Sequence, residues 1–253
     1  MTINEIKRVL ESAEPVQLPE IWAQFDGDER TGVKKLVDYY KKWYNKLCEE
    51  EARCRAMLFF EKKYEALGYV SICGVDEAGV GPLAGPVAAA AVVLPAGCTI
   101  YGLNDSKKLS AKMREQMYHE ILRVAVSWNV AFVNNNDIDE INILQARLCA
   151  MKLAVAGLSP ASDFVLVDGT RSPVFGIGSV AIQGGDALSA SIAAASVLAK
   201  VSRDKVMLDY HKIYPQYGFD RNKGYGTVQH FAAIKKHGAT PIHRRTFLTG
   251  VID

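Results

Sequence analysis

Three short apolar runs in this chain stop at an acid. Tyr69 to Val75 ends at Asp76-Glu77, and Phe164 to Val167 ends at Asp168. A run around Ser179 to Ile182 leads through Gly184-Gly185 to Asp186. A strand as continuously apolar as Phe-Val-Leu-Val is buried on both faces, so the sheet that holds it needs helices on both sides. Acids that end such strands lie along the sheet's carboxyl edge, where open α/β sheets place their ligand sites.

The remaining pattern supplies the other layers. Pro86 to Leu94 (PVAAAAVVL) and Ser127 to Val133 are two further strands. Ser110 caps a predicted helix running to about Val126. Asp137 is the expected cap of a second helix through Ala156, with Glu140 completing a capping box. A long helix is predicted from Leu188 to about Tyr210, and a last one starts at Thr227 and ends at Gly238. Strands that later alternate with helices give a mixed sheet flanked by helices. Before residue 70 the texture is different: a helix around Glu5 to Ser12, breaks at Pro15 and Pro19, then an amphipathic stretch from Val33 to Tyr64. Two parts are expected, a helical extension over 1–69 and a larger domain over 70–253.

Several carboxylates gathered at one edge repel one another unless a cation stands between them. Hard oxygen donors without His or Cys favour Mg²⁺ or Mn²⁺. Adjacent residues of a regular strand point to opposite faces, so Asp76 and Glu77 can share a site only where the strand ends, and Ala78-Gly79 is expected to end it. Taken singly the acids have plainer uses: Asp168 before Gly169 suits a turn, and Asp186 suits an N-cap. The stretch DEAGVGPLAGP places glycines at 79, 81 and 85, letting backbone approach a ligand with its N–H groups free. A dinucleotide fingerprint does not fit it, because Pro82 follows the second glycine and two carboxylates stand where a pyrophosphate would lie.

The net charge of +2 is unevenly spread. Residues 71–199 carry 8 Lys and Arg against 11 Asp and Glu, whereas 200–253 carry 10 against 4. An acidic middle beside a basic end suits a metal site next to a polyanion-binding surface. Five cysteines with no Cys-x-x-Cys pair read as idle thiols in a reducing, cytoplasmic compartment. Neither a signal peptide nor a membrane span is expected. A monomer is the default expectation.

VDEAGVGPLAGPVAAAAVVL, LNDSKKLS, IDEINIL, LVDG, the GD of GGDALSASIAAASVLAKVSRD, and YPQYGFDRNKGYGT followed by HRRTF resemble bacterial ribonuclease HII, in order and at matching intervals over residues 70 to about 248. Some members of that family also carry an N-terminal helical extension. Ribonuclease HIII fits less well, because its sequence after the Asp-Glu pair differs.

The resemblance implies an RNase H-like mixed five-stranded sheet with a C-terminal helical substrate-binding part over about 200–253. It implies an endonuclease that cuts RNA paired with DNA, and ribonucleotides embedded in duplex DNA, leaving 5′-phosphate and 3′-hydroxyl. Asp76, Glu77, Asp168 and Asp186 match the acids that hold two divalent ions. Gly79, Val80 and Gly81 match a Gly-Arg-Gly motif that senses the 2′-hydroxyl, and Tyr225 matches a tyrosine that packs on the neighbouring sugar. Lys107 or Lys108 matches a phosphate contact, while Lys200, Arg203, Lys223, Arg244 and Arg245 are candidates for a phosphate-tracking surface. Val80 replaces the usual arginine, Gly185 a usual lysine and Asn222 a common histidine. With two cations missing, the alternative is a nucleic-acid-binding protein that keeps the fold and cuts weakly or with altered preference. His230, His237 and His243 lack ligand spacing and are assigned no metal.

Overall fold

In a computed structural model that describes residues 1–250, the chain divides into two compact units at Arg55/Ala56, earlier than the expected boundary at residue 69. In the first unit, α1 (Ile3–Ser12), α2 (Leu18–Ala23) and α3 (Thr31–Ala56) enclose Ile6, Leu10, Leu18, Val33 and Val37. Thr2 and Glu5 form a capping box on α1, and Pro19 sits in the first turn of α2 instead of breaking a helix.

The stretch after Ala56 belongs to the second unit because its apolar residues pack there. Phe60 and Tyr64 of α4 (Phe59–Glu65) join a cluster with Ile72, Phe164, Leu166 and Ile182. The sheet contains β1 (Ile72–Ala78), β2 (Val87–Val93), β3 (Ser127–Val133), β4 (Phe164–Asp168) and β5 (Gly178–Ile182), in the order β3-β2-β1-β4-β5. The β3-β2-β1 side is antiparallel and β1, β4 and β5 run parallel. The mixed sheet expected from the sequence is present. α5 (Ala111–Val124) and α7 (Ala190–Ile213) cover one face, and α6 (Asn135–Ala156) covers the other.

Small residues set how close α7 lies. Ala88 to Ala91 of β2 are fully buried, as are Ala193, Ala194 and Ala195 of α7. At Gly74 in β1 an added Cβ would lie 2.1 Å from the Ser191 carbonyl carbon, so only glycine lets the start of α7 rest on that strand. This contact carries the segment holding Asp186 towards the end of β1.

Two expectations for α6 fail. Its N-cap is Asn134, whose side chain accepts from the N–H groups of Asn136 and Asp137, so Asp137 and Glu140 do not form the capping box. The helix is also interrupted at Asn142, whose φ is 65°, and the Asn142 side chain recaps it by accepting from Leu144 and Gln145 N–H. Asp139 is thereby left to cap the chain elsewhere, accepting from Arg245 and Thr246 N–H. No helix among the described residues is long and apolar enough to cross a membrane.

Candidate active site

Asp76 and Glu77 lie inside β1, not beyond its end, since the strand runs on to Ala78 opposite Ala88. The parallel pairing with β4 stops three residues earlier, at Val75↔Val167, just before Asp76. Where the two strands part, Asp76 and Asp168 follow side by side. The Glu77 N–H donates to Asp76 Oδ1 at 2.7 Å, and the Gly185 N–H donates to Asp168 Oδ1 at 2.7 Å. Gly185 thereby ties the segment carrying Asp186 to the end of β4.

The four acids share one electrostatic field. Burial, then the charges of Glu77 and Asp168, pushes Asp76 well above the ordinary carboxylate range. Burial raises Glu77 too, against the opposing pull of Arg147, and burial followed by Asp105 and Asp168 raises Asp186. Burial alone would lower the Lys107 ammonium, but Asp105, Asp186, Asp76 and Asp168 together raise it. Lys107 Nζ stands 3.9 Å from Asp186 Oδ2 on a mostly exposed side chain, a weak pair. The loop before Lys107 is fixed by Ser106 Oγ, which meets Ser196 Oγ of α7 at 2.8 Å.

Among the described residues, no three His, Cys, Asp or Glu side chains form a finished metal site. The donors nevertheless suit a hard divalent cation. All are carboxylate oxygens, their mutual repulsion holds them in a costly state, and Glu77 Oε2 is buried without a hydrogen-bond partner among the described residues. Asp76, Glu77, Asp168 and Asp186 are the residues that would hold it.

A cleft of about 210 Å³ runs from Asp76 and Glu77 along Gly79, Val80 and Gly81, with Lys107, Lys200 and Tyr225 around it. Asp168 and Asp186 stand outside its lining, coupled to it through the charges above. The N–H groups of Gly79, Val80 and Gly81 donate to no protein acceptor among the described residues. Gly79 has φ 92°, and a Cβ there would meet the Arg203 side chain at 2.0 Å. Val80 turns its side chain onto the core beneath α6, so no charge stands where the resemblance implies one. Tyr225, 44% exposed, faces Gly81. Its turn is held by Asn222, whose side chain donates to Tyr217 O and accepts from Gly224 N–H.

Arg203 and Arg244 are not phosphate contacts: both are buried and spend their guanidinium groups on backbone. Arg244 donates to Gly79 O, Val80 O and Gly85 O at 2.6, 2.8 and 3.0 Å. Arg203 donates to Pro86 O, Ala84 O and Lys223 O. The two side chains turn the loop's carbonyls inward and join it to the turn before Tyr225. Lys200 is paired with Asp204 at 2.8 Å, and Lys108 and Arg245 are exposed.

His230 and His243 are buried partners, Nε2 to Nε2 at 3.0 Å. Thr240 N–H donates to His243 Nδ1, so the proton of His243 sits on Nε2. That proton goes to His230, which in turn donates from Nδ1 to Tyr225 O. A second proton on either ring breaks this chain. Burial holds His230 below its ordinary value and His243 down at about 4. The folded state therefore binds fewer protons than the unfolded chain between about pH 4 and 6.5, and stability falls as pH drops through that window. For His243 the loss is on the order of 3 kcal/mol. His243 ring proton resonances unchanged from pH 7.5 to 5.5 are expected, and a His243 titration midpoint above 6 would contradict the arrangement.

Arg147 of α6 was invisible to motif reading. It pairs with Glu77 and reaches the Asp168 carbonyl. It lies beside the buried stripe Ala146, Ala150 and Ala154 that seats α6 on the sheet, and that periodicity was the available signal.

Residues 73–250 match the family model described as ribonuclease HII, and residues 2–65 match the ribonuclease HII N-terminal domain. A ribonuclease HII of Desulfitobacterium hafniense is 48% identical over 98% of this chain and 94% of its own length. One from Ruminiclostridium cellulolyticum is 46% identical over 98% of both. Among solved structures, the Pyrococcus horikoshii ribonuclease H2 shares the fold with a TM-score of 0.61 and 24% identity, covering 72% of this chain and 97% of that one. The ribonuclease HII of the Archaeoglobus fulgidus PCNA complex has a TM-score of 0.56 and 25% identity over 69% and 94%. The chain therefore belongs to the ribonuclease HII family and is a ribonuclease.

Proposed function

We propose that this ribonuclease cuts the RNA strand of RNA/DNA hybrids and also nicks duplex DNA at single embedded ribonucleotides, with Asp76, Glu77, Asp168 and Asp186 holding two Mg²⁺ or Mn²⁺ ions. Bound there, the ions supply an activated water and a stabilised leaving 3′ oxygen, giving 5′-phosphate and 3′-hydroxyl products. The observation that carries this is the placement of unpaired loop N–H groups and an exposed tyrosine directly beside the acidic edge. Gly79, Val80 and Gly81 present backbone donors to a 2′-hydroxyl, the group that distinguishes ribose from deoxyribose. Tyr225 packs on the adjoining sugar. Lys107 and Lys200 meet phosphates near the acids, and Lys223 and Arg245 extend that contact. Binding through these groups weakens with salt.

Val80 recognises through its backbone alone. A missing charge-assisted phosphate contact is worth about 1–3 kcal/mol, so weaker binding and a shifted preference at DNA–RNA junctions are expected. The test compares a duplex carrying one ribonucleotide, a continuous hybrid and an all-DNA duplex, each with Mg²⁺, Mn²⁺ or chelator. Metal-dependent nicks 5′ of the ribonucleotide, with the all-DNA duplex intact, are expected. Binding without cutting in either metal would instead describe a nucleic-acid-binding protein that has kept the fold.

A further inference from the structure

Among the described residues, Arg147 is the one cation fixed among these acids from the α6 side of the sheet, opposite the α7 side that carries Asp186. Its Nε stands 2.8 Å from Glu77 Oε1, with the N–H not aimed at the oxygen, so the contact is a charge pair and not an aligned hydrogen bond. Its Nη2 has a second anchor, donating to the main-chain carbonyl of Asp168 at 3.3 Å. The backbone makes room for this reach. Gly169 has φ 110°, and a Cβ there would lie 2.8 Å from Nη2. One guanidinium thus ties the exit of β1 to the exit of β4. Glu77 Oε1 is engaged by it, and Oε2 is buried with no hydrogen-bond partner among the described residues.

We propose that Arg147 is a positioning residue for the divalent-ion site, holding Glu77 by one carboxylate oxygen so that the other is presented to an ion. The proposal rests on the assignment of the four acids as metal ligands. A cation among acids could instead be a placeholder that an arriving metal displaces. The anchor on the Asp168 carbonyl and the fit against Gly169 argue otherwise, because neither depends on Glu77 and each would hold the guanidinium in place if the pair with Glu77 were broken. The two roles predict opposite signs. Removing a placeholder tightens metal binding, whereas removing a positioning group loosens it.

The experiment measures Mn²⁺ binding to the full chain without nucleic acid, by calorimetry and by the electron paramagnetic resonance of free Mn²⁺. It compares the natural chain with R147A, R147Q, R147K and D76N, and thermal melting shows that each variant is folded. Partners that orient metal ligands typically carry 10–100-fold of metal affinity, so R147A and R147Q are expected to bind Mn²⁺ about tenfold or more weakly. R147K, which keeps the charge but not the fork, should recover part of that loss. Affinity unchanged or tightened in both R147A and R147Q overturns the proposal, as does a lysine variant no better than the alanine one. If the natural chain binds no Mn²⁺, or D76N binds it as well as the natural chain, the ion site itself is wrong and the role of Arg147 falls with it. A D76N loss alongside unaffected R147A removes the Arg147 proposal alone.

Discussion

Asp76→Asn is expected to lower cleavage roughly a thousandfold or more while leaving hybrid binding within a few-fold and the fold more stable than before. Asparagine has the shape of aspartate and can still accept the Glu77 N–H that Asp76 Oδ1 holds at 2.7 Å. It lacks the charge with which Asp76 would hold an ion, and that loss removes several kcal/mol of transition-state stabilisation. The gain in stability follows from where the carboxylate sits. Asp76 is 4% exposed, and burial, then Glu77 and Asp168, raises it well above the usual range. A carboxyl raised on folding adds stability below its unfolded value and loses it as pH rises, so at neutral pH the charge is a cost that asparagine relieves. Melting curves with and without Mn²⁺ separate the two effects. Without metal the variant should melt higher than the natural chain. With Mn²⁺ the natural chain should gain stability and the variant should not. Cleavage within tenfold of the natural rate would contradict the assignment of Asp76.

Arg244→Ala is expected to cost about 3–5 kcal/mol of stability, because it strands the Gly79, Val80 and Gly85 carbonyls that the buried guanidinium satisfies and leaves a cavity beside Phe247. For a chain of this size that corresponds to a fall of roughly 10–15 °C in melting temperature. Lysine should rescue little, since one ammonium cannot meet three carbonyls spread across the loop. The exposed neighbour provides the contrast: Arg245→Ala should shift stability by less than about 0.5 kcal/mol and flatten the salt dependence of hybrid binding. Thermal melting of both variants tests this, and equal stability in the two would refute the internal role of Arg244.

The layers of the second unit were readable because apolar strand runs and capped helices leave periodic traces. The Ser110 and Thr227 caps stand where expected. What misled was polar chemistry with two uses. Asp137 and Glu140 have the spacing of a capping box, yet Asn134 lies earlier and takes the N–H groups first. Arg203 and Arg244 sit in a basic stretch and read as phosphate contacts, whereas the loop has carbonyls that must be satisfied once buried. Arg203 falls at helical spacing with Ser196, Ala199 and Met207, all buried, so its interior position was present in the sequence. The boundary expected near residue 69 lies between the two family matches, at 2–65 and 73–250, while compact packing divides the chain at Arg55/Ala56 because Met57, Leu58 and Phe60 pack with the sheet's own helices and strands. At the candidate site the acids were expected from strand exits, whereas Asp76 and Glu77 lie inside β1. Arg147 was not, because its reach depends on the space that Gly169 leaves and not on any motif.

The central claim is that Asp76, Glu77, Asp168 and Asp186 close around divalent ions. Crystals of the protein with an uncleaved hybrid, soaked in Mn²⁺ and measured at the manganese absorption edge, test it most directly. Anomalous peaks bounded by carboxylate oxygens of all four residues are the predicted result. Peaks that leave out Asp168 or Asp186, or no peak in the cleft at all, would contradict it.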